Sequence, residues 1–290
     1  VIDMARYLKI LVVIVVLSAA QGYANSEDIA RIHDLNPILD REEIIKLASK
    51  VKQETDTRQI YGADSPEFLE TYGKLMINGT LRGTGNVVVH NERAASVIVT
   101  TAAHCFHGDE AETAQITIEF TKRDGTVVQR ALTPYKINAE DDYAILKLDR
   151  PIANSLIKPL LIADYAYDQV MDTDYYMMNP YSITYAGYNA DSGKGNGGNN
   201  LTYDQDCRMT GRGDRWLVNT DCVAYPGASG GAFVITVTDE DNNNRVTDYF
   251  VGVNHSISVN NFAEERPQVA CFVDHSAMYD DLLSALGESQ

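Results

Sequence analysis

The chain has 290 residues, is 44% hydrophobic, and carries 41 acidic against 24 basic side chains, a net charge of −17. That is enough apolar material to bury one or two cores. The negative balance argues against nucleic acid and anionic membrane surfaces as partners.

Residues 1–24 read as a signal peptide. Arg6 and Lys9 give a positive start, 10–17 is an apolar run, and Gly22-Tyr23-Ala24 offers a cleavage site. Met4 reads as the true start. The run falls short of the ~20 residues a membrane span needs, so the expectation is a secreted or periplasmic protein with no membrane contact after cleavage. Residues 25–68 read as a propeptide or N-terminal extension, with an amphipathic helix over 42–51.

Strand-like runs follow at 74–77, 83–89 and 97–101, with Asn91-Glu92-Arg93 as a polar turn. Residues 116–120 and 127–128 predict a hairpin across Arg123-Asp124-Gly125. Such repeated short strands predict an all-β barrel. Residues 151–164 read as a connection, and 183–188 begins a second set of strands. The Gly- and Asn-rich stretch 191–200 reads as an exposed loop; without a Lys-Ser ending or a following helix it is no phosphate cradle. Residues 239–244 read as a polar hairpin tip, with calcium as the weaker alternative because the spacing is not that of an EF-hand. Residues 250–256 read as a strand and 277–286 as a C-terminal helix.

Three stretches carry chemistry. The first is Pro226-Gly227-Ala228-Ser229-Gly230-Gly231-Ala232. A serine hydroxyl is a poor nucleophile and needs a base and a home for the oxyanion it creates. Gly227 has the backbone freedom to let the amides of Gly227 and Ser229 converge on one point. The plain alternative is a glycine-rich turn between two strands.

The second is Thr101-Ala102-Ala103-His104-Cys105, where a β-branched strand ends in two small residues and a histidine. The third is Asp142-Tyr143-Ala144-Ile145-Leu146, where a carboxylate opens an apolar strand and needs a donor such as an imidazole N–H. Separately, these read as a structural histidine and a solvated acidic turn.

Together the three stretches resemble the trypsin-like (chymotrypsin-fold) serine proteases, in which the order is His, Asp, Ser. Tyr143 stands where an aliphatic residue is commoner, and Ala228 replaces the usual aspartate. The resemblance spans about residues 70–285. It implies two antiparallel six-stranded β-barrels, one over about 69–160 and one over about 172–272, with a C-terminal helix over about 276–287. It implies a catalytic triad of His104, Asp142 and Ser229 with an oxyanion hole at Gly227 and Ser229. Val223 lies where trypsins carry a pocket-floor aspartate, so selection for Arg or Lys is not expected. His255 is expected near the pocket, as in the bacterial glutamyl endopeptidases, or else in a structural role. No Ile-Val-Gly-Gly start is present, and Ala228 removes the aspartate that pairs with a freed N-terminal amine.

The four cysteines allow three pairings. Cys207 and Cys222 flank a short segment leading to the Ser229 loop and read as a disulfide. Cys105 and Cys271 either pair or stay as thiols. No spacing is that of a zinc site, and no metal or cofactor is expected. The expected protein is a monomeric, exported serine endopeptidase acting on protein or peptide substrates. The rivals are a non-enzymatic binding or adhesion protein on the same fold, and a zymogen silenced by residues 25–60.

Overall fold

The computed structural model describes residues 56–163, 183–212, 216–239, 244–257 and 268–287. The expected signal peptide at 1–24 and the helix at 42–51 lie outside the described residues, as does most of the hairpin tip at 239–244.

Six strands make the first barrel: β2 (Tyr72–Ile77), β3 (Thr80–Val89), β4 (Ser96–Thr101), β5 (Ile116–Thr121), β6 (Val127–Asn138) and β7 (Tyr143–Ile152). Each pairs antiparallel with its neighbours in the order β2-β3-β4-β7-β6-β5, and β5 returns to β2 to close the ring. Alternation drives this. In β5, Ile116, Ile118 and Phe120 point into the barrel while Thr117, Glu119 and Thr121 stay half-exposed. Leu75, Val87, Val99 and Leu146 fill the same interior, each burial contributing about 1.5–3 kcal/mol.

The second barrel uses β9 (Ile183–Gly187), β10 (Thr202–Cys207), β11 (Met209–Arg212), β12 (Leu217–Ala224), β13 (Ala232–Asp239), β14 (Arg245–Ile257) and β15 (Gln268–Asp274). β10 and β11 are one strand bent at Arg208. β10 pairs with β9 and β11 with β12, so the order β9-β10/β11-β12-β15-β14-β13 closes back on β9. Its interior holds Tyr185, Phe233 and Phe272 in a stack with ring centroids 4.6 and 4.4 Å apart. The Cys207–Cys222 disulfide ties β10 to β12.

Both barrels follow the expectation. A short strand β8 (Leu160–Ile162) joins them by pairing in parallel with β3 and with β14. A third apolar cluster, including Tyr72, Val88, Ile98, Ile145, Val234 and Phe250, fills the seam between barrels.

The first and last described segments cross over between the barrels. After a one-turn helix α1 (Glu110–Thr113) in the first barrel, the main helix is α2 (Tyr279–Leu286), entered through a 3-10 turn at His275–Ala277. Helix α2 starts three residues later than the expected 276 because that 3-10 turn precedes it. Asp280 and Asp281 suit its N-terminal dipole, and Gly287 at φ +80° caps its end. It docks on the first barrel through Tyr143 Oη to Asp281 (2.7 Å) and Tyr135 Oη to Ser284 (2.8 Å). At the other end, β1 (Gln59–Ile60) pairs with β10 of the second barrel. β1 lies ahead of residue 69 and supplies an edge strand that the resemblance did not cover.

Candidate active site

β4 ends at Thr101, and the next residues fold into a tight 3-10 turn, Ala103–Cys105. Ala102 and Ala103 are small enough to be buried beneath it, and the His104 side chain is left 44% exposed in the cleft. The β4–β7 register, with Thr101 opposite Ala144, brings the start of β7 beside this turn. Asp142 stands there with φ +55°, a left-handed conformation that Asp tolerates better than most residues. It is not the first residue of the strand but the pivot just ahead of it.

Asp142 holds His104 at two points. Its Oδ1 accepts the His104 backbone N–H at 2.8 Å, and its Oδ2 lies 2.7 Å from His104 Nδ1. The same Oδ2 lies 2.5 Å from His255 Nδ1. An ionised carboxylate only accepts, so each Nδ1 carries the proton it donates to Asp142. Burial pushes the Asp142 carboxyl up, but hydrogen bonds from His104 and His255 outweigh it and hold the group below the usual carboxylate range.

Ser229 lies in the loop between β12 and β13. Its carbonyl accepts the Thr84 N–H at 2.8 Å, and Cys105 Sγ sits 4.0 Å from the same oxygen. A Cβ placed on Gly83 would stand 2.8 Å from Ser229 O and 2.6 Å from Cys105 Sγ. Only a glycine in β3 lets the serine loop come this close to the histidine turn. Among the described residues, the Ser229 hydroxyl makes no hydrogen bond to His104.

The loop is fixed by partners distant in sequence. Asn86 donates Nδ2–H to Gly230 O (2.6 Å) and accepts the Ala232 N–H (3.0 Å). Asn254 exchanges backbone bonds with Gly230 and Gly231 (2.9 Å each). Ala228, buried against Gly187, donates its N–H to Tyr225 O (3.3 Å) and accepts from Tyr185 Oη (3.0 Å). Gly227 has φ +92°, and a Cβ there would meet Tyr188 O at 2.7 Å.

Two amides in this run stand apart. Among the described residues, neither the Gly227 nor the Ser229 N–H donates to any protein group, whereas the N–H groups of Ala228, Gly230 and Gly231 all do. They flank Ala228 on either side.

His104 and Asp142 are therefore brought together, and Gly227 and Ser229 lie in the adjoining loop. His255 also reaches the cleft, but its Nδ1 is committed to Asp142. Val223 is wholly buried in β12, with its N–H on Asp204 Oδ2 at 3.1 Å. Cys105 is a free, buried thiol; burial pushes it up to about 12, so it stays protonated at neutral pH. That decides between the two readings of Cys105 in favour of a thiol.

Thr84, Asn86 and Asn254 were missed from sequence. A buried polar residue inside an apolar strand, such as Asn86 ahead of Val87-Val88-Val89, is the signal that could have found them.

The family description of a trypsin-like peptidase domain matches residues 83–239, more than half of the chain and inclusive of His104, Asp142 and Ser229. No curated protein matches the chain. With two closed barrels and this match, the chain belongs to the trypsin-like peptidase domain family and carries its serine-protease fold.

Proposed function

We propose that the protein is a secreted serine endopeptidase that cleaves peptide bonds through a His104–Asp142–Ser229 triad and an acyl-enzyme. One observation carries the reading. Among the described residues the amides of Gly227 and Ser229 donate to no protein group, in the loop beside a histidine whose Nδ1 is held by a buried carboxylate, and this supports reading the pair as oxyanion donors.

Ser229 Oγ attacks the scissile carbonyl carbon while His104 Nε2 takes its proton. The oxyanion accepts from the Gly227 and Ser229 N–H groups. His104 then passes the proton to the leaving amine as the carbonyl re-forms and the C–N bond breaks. Water repeats the sequence to release the acyl group and restore Ser229. Asp142 keeps Nδ1 protonated and stabilises the imidazolium. Val223 offers no carboxylate to select an Arg or Lys side chain. Export is supported by the sequence pattern of residues 1–24 and by a disulfide, which persists in oxidising compartments. Among the described residues, no helix is long and apolar enough to cross a membrane.

A binding protein on the same fold is the second reading, favoured by the missing hydrogen bond between Ser229 and His104. A fluorophosphonate probe followed by mass spectrometry separates the two. A single adduct on Ser229, absent in Ser229→Ala, is the expected result; no adduct on the wild-type protein supports the binding protein.

A further inference from the structure

We propose that residues 56–60, which precede the region matched by the family, form a strap that holds the Tyr225–Ser229 loop in shape, with Arg58 as its positioning residue. The proposal rests on reading the Gly227 and Ser229 amides as oxyanion donors.

A buried guanidinium persists only where carboxylates and acceptors surround it. Arg58 is 2% exposed. Its Nε and Nη2 donate to the two carboxylate oxygens of Asp56 (2.8 and 2.9 Å), and Nη1 donates to Asp191 Oδ1 (2.8 Å) and Thr202 Oγ1 (3.3 Å). The central carbon of the guanidinium lies over the Tyr225 ring, 4.1 Å from its centre. Tyr225 is the residue from which the serine loop departs.

The loop leans on residues 188–191. Tyr225 N–H donates to Asn189 Oδ1 (2.6 Å), and Ala190 N–H donates to Pro226 O (2.7 Å). Gly227 packs against Tyr188 O and Ala190. Arg58 therefore touches both sides of this contact: Tyr225 by stacking, and the 188–191 wall through Asp191. The second oxygen of Asp191 accepts the Gly195 N–H at 3.1 Å, which folds the 191–200 stretch inward. That stretch is a loop with Ser192, Gly193, Asn196, Gly197 and Asn199 exposed, as expected, and with Asp191, Gly195 and Gly198 buried.

Two further attachments tie the strap down. Lys194 Nζ donates to the backbone carbonyls of Asp56 (2.6 Å) and Arg58 (2.5 Å). Thr57 Oγ1 donates to Asp204 Oδ1 (3.1 Å), and Asp204 Oδ2 takes the N–H of Val223, in the strand that feeds the loop. With Ala228 where an aspartate would receive a freed N-terminal amine, an internal cation does the bracing. In this arrangement the loop is braced from within the chain, by the side chain of Arg58 and its carboxylate partners.

The test is amide hydrogen exchange by mass spectrometry on the folded protein, comparing wild type with Arg58→Met and Arg58→Lys. The rate constant for fluorophosphonate reaction at Ser229 is measured in parallel. Arg58→Met is expected to raise exchange in peptides covering 188–198 and 225–231 by about tenfold or more, with β2–β7 unchanged, and to slow Ser229 labelling by about a hundredfold. Arg58→Lys keeps the charge but loses the fork and the stack, and is expected to fall between. If Arg58→Met does not fold, Arg58→Lys carries the same comparison. Unchanged exchange at 225–231, or a uniform loss of protection across the whole second barrel, overturns the strap. An unlabelled wild-type Ser229 defeats the protease reading instead, and the exchange arm still decides the strap.

Discussion

Asp142 and His255, 113 residues apart in sequence, meet with Oδ2 2.5 Å from Nδ1. The same oxygen holds His104 at 2.7 Å. One carboxylate thus serves two imidazoles, and each limits how the other can move. The second histidine removes a lone pair of Asp142 from water and helps keep the carboxyl ionised.

Removing His255 is therefore expected to weaken catalysis without abolishing it. A hydrogen bond to a charged group contributes about 1.5–3 kcal/mol; if all of it is felt in the transition state, His255→Ala lowers kcat by roughly tenfold to a hundredfold. The loss of one donor also raises the Asp142 pKa, because the His255 hydrogen bond is one of the contacts that hold this carboxyl low. His255→Gln keeps an N–H donor and should restore most of the activity. Steady-state kinetics of the three proteins, with an NMR titration of the Asp142 carboxyl, check this. An unmoved Asp142 titration in His255→Ala would show that the contact does not tune Asp142.

Acid stability follows from three carboxylates: Asp142, Asp191 and Asp274. Burial pushes each one up, but their donors win and all three are held low. For Asp191 the chief donors are Arg58 and the Gly195 N–H. A carboxyl whose folded pKa lies below its unfolded value of about 3.9 contributes stability that is present above that value. The contribution is lost as pH falls through the folded pKa. Urea midpoints should stay level from neutral pH down to about 4 as far as these groups are concerned, then fall steeply. Asp191→Asn should be less stable than wild type at pH 7, with the gap narrowing below pH 4. A gap that stays constant with pH would show that the Asp191 charge adds nothing to the folded state.

Much of the site was legible because its signals are local. A β-branched strand ending in two alanines before His104, a carboxylate ahead of Tyr143-Ala144-Ile145, and glycines around Ser229 each sit within a few residues. The barrel strands were legible for the same reason, through alternation and glycine breaks. What escaped depends on partners far along the chain. Asn86 meets Gly230 across 144 residues, and Arg58 meets Asp191 across 133. Nothing in the local pattern of 56–60 marks it as part of the second barrel, because a two-residue edge strand is held by its neighbours rather than by its own propensity. The 191–200 stretch is the largely exposed loop that its composition predicts, but that composition does not mark Asp191 as facing inward. The sequence leaves His255 between the pocket and a structural role because its register in β14 cannot be set without knowing the irregular pairing of Asn254 and Ser256 with β15.

The cysteines should behave in opposite ways. The Cys207–Cys222 bridge closes a 15-residue separation, for which chain entropy gives about 3 kcal/mol. Replacing both with alanine should lower the melting temperature by roughly 6–12 °C in a domain of this size. Cys105 should resist iodoacetamide in the folded protein, since burial keeps it protonated, and react once urea unfolds the chain. Rapid labelling of Cys105 in the native protein would mean that the seam between the histidine turn and the serine loop opens freely.

The last prediction concerns that seam. Gly83 lies between Cys105 Sγ and Ser229 O, with 2.6 and 2.8 Å available to a new Cβ. The Cys105 side chain is buried, and the Ser229 carbonyl is backbone, held by the Thr84 N–H. Gly83→Ala must therefore displace the serine loop or the strand that carries Thr84. Overpacking of this kind costs about 1–3 kcal/mol, which two closed barrels can absorb. A displacement of about 1 Å at a reacting group costs on the order of a hundredfold in rate. The expected outcome is a folded Gly83→Ala protein with a slightly lower melting temperature and Ser229 labelling slowed by about that factor. Gly79→Ala is a useful comparison, because a Cβ there meets nothing within 4 Å. Any cost at Gly79 comes from its positive φ of 75° alone, so it should touch stability and spare labelling. If Gly83→Ala labels as fast as wild type, the close approach of β3 to the serine loop is packing without consequence for Ser229.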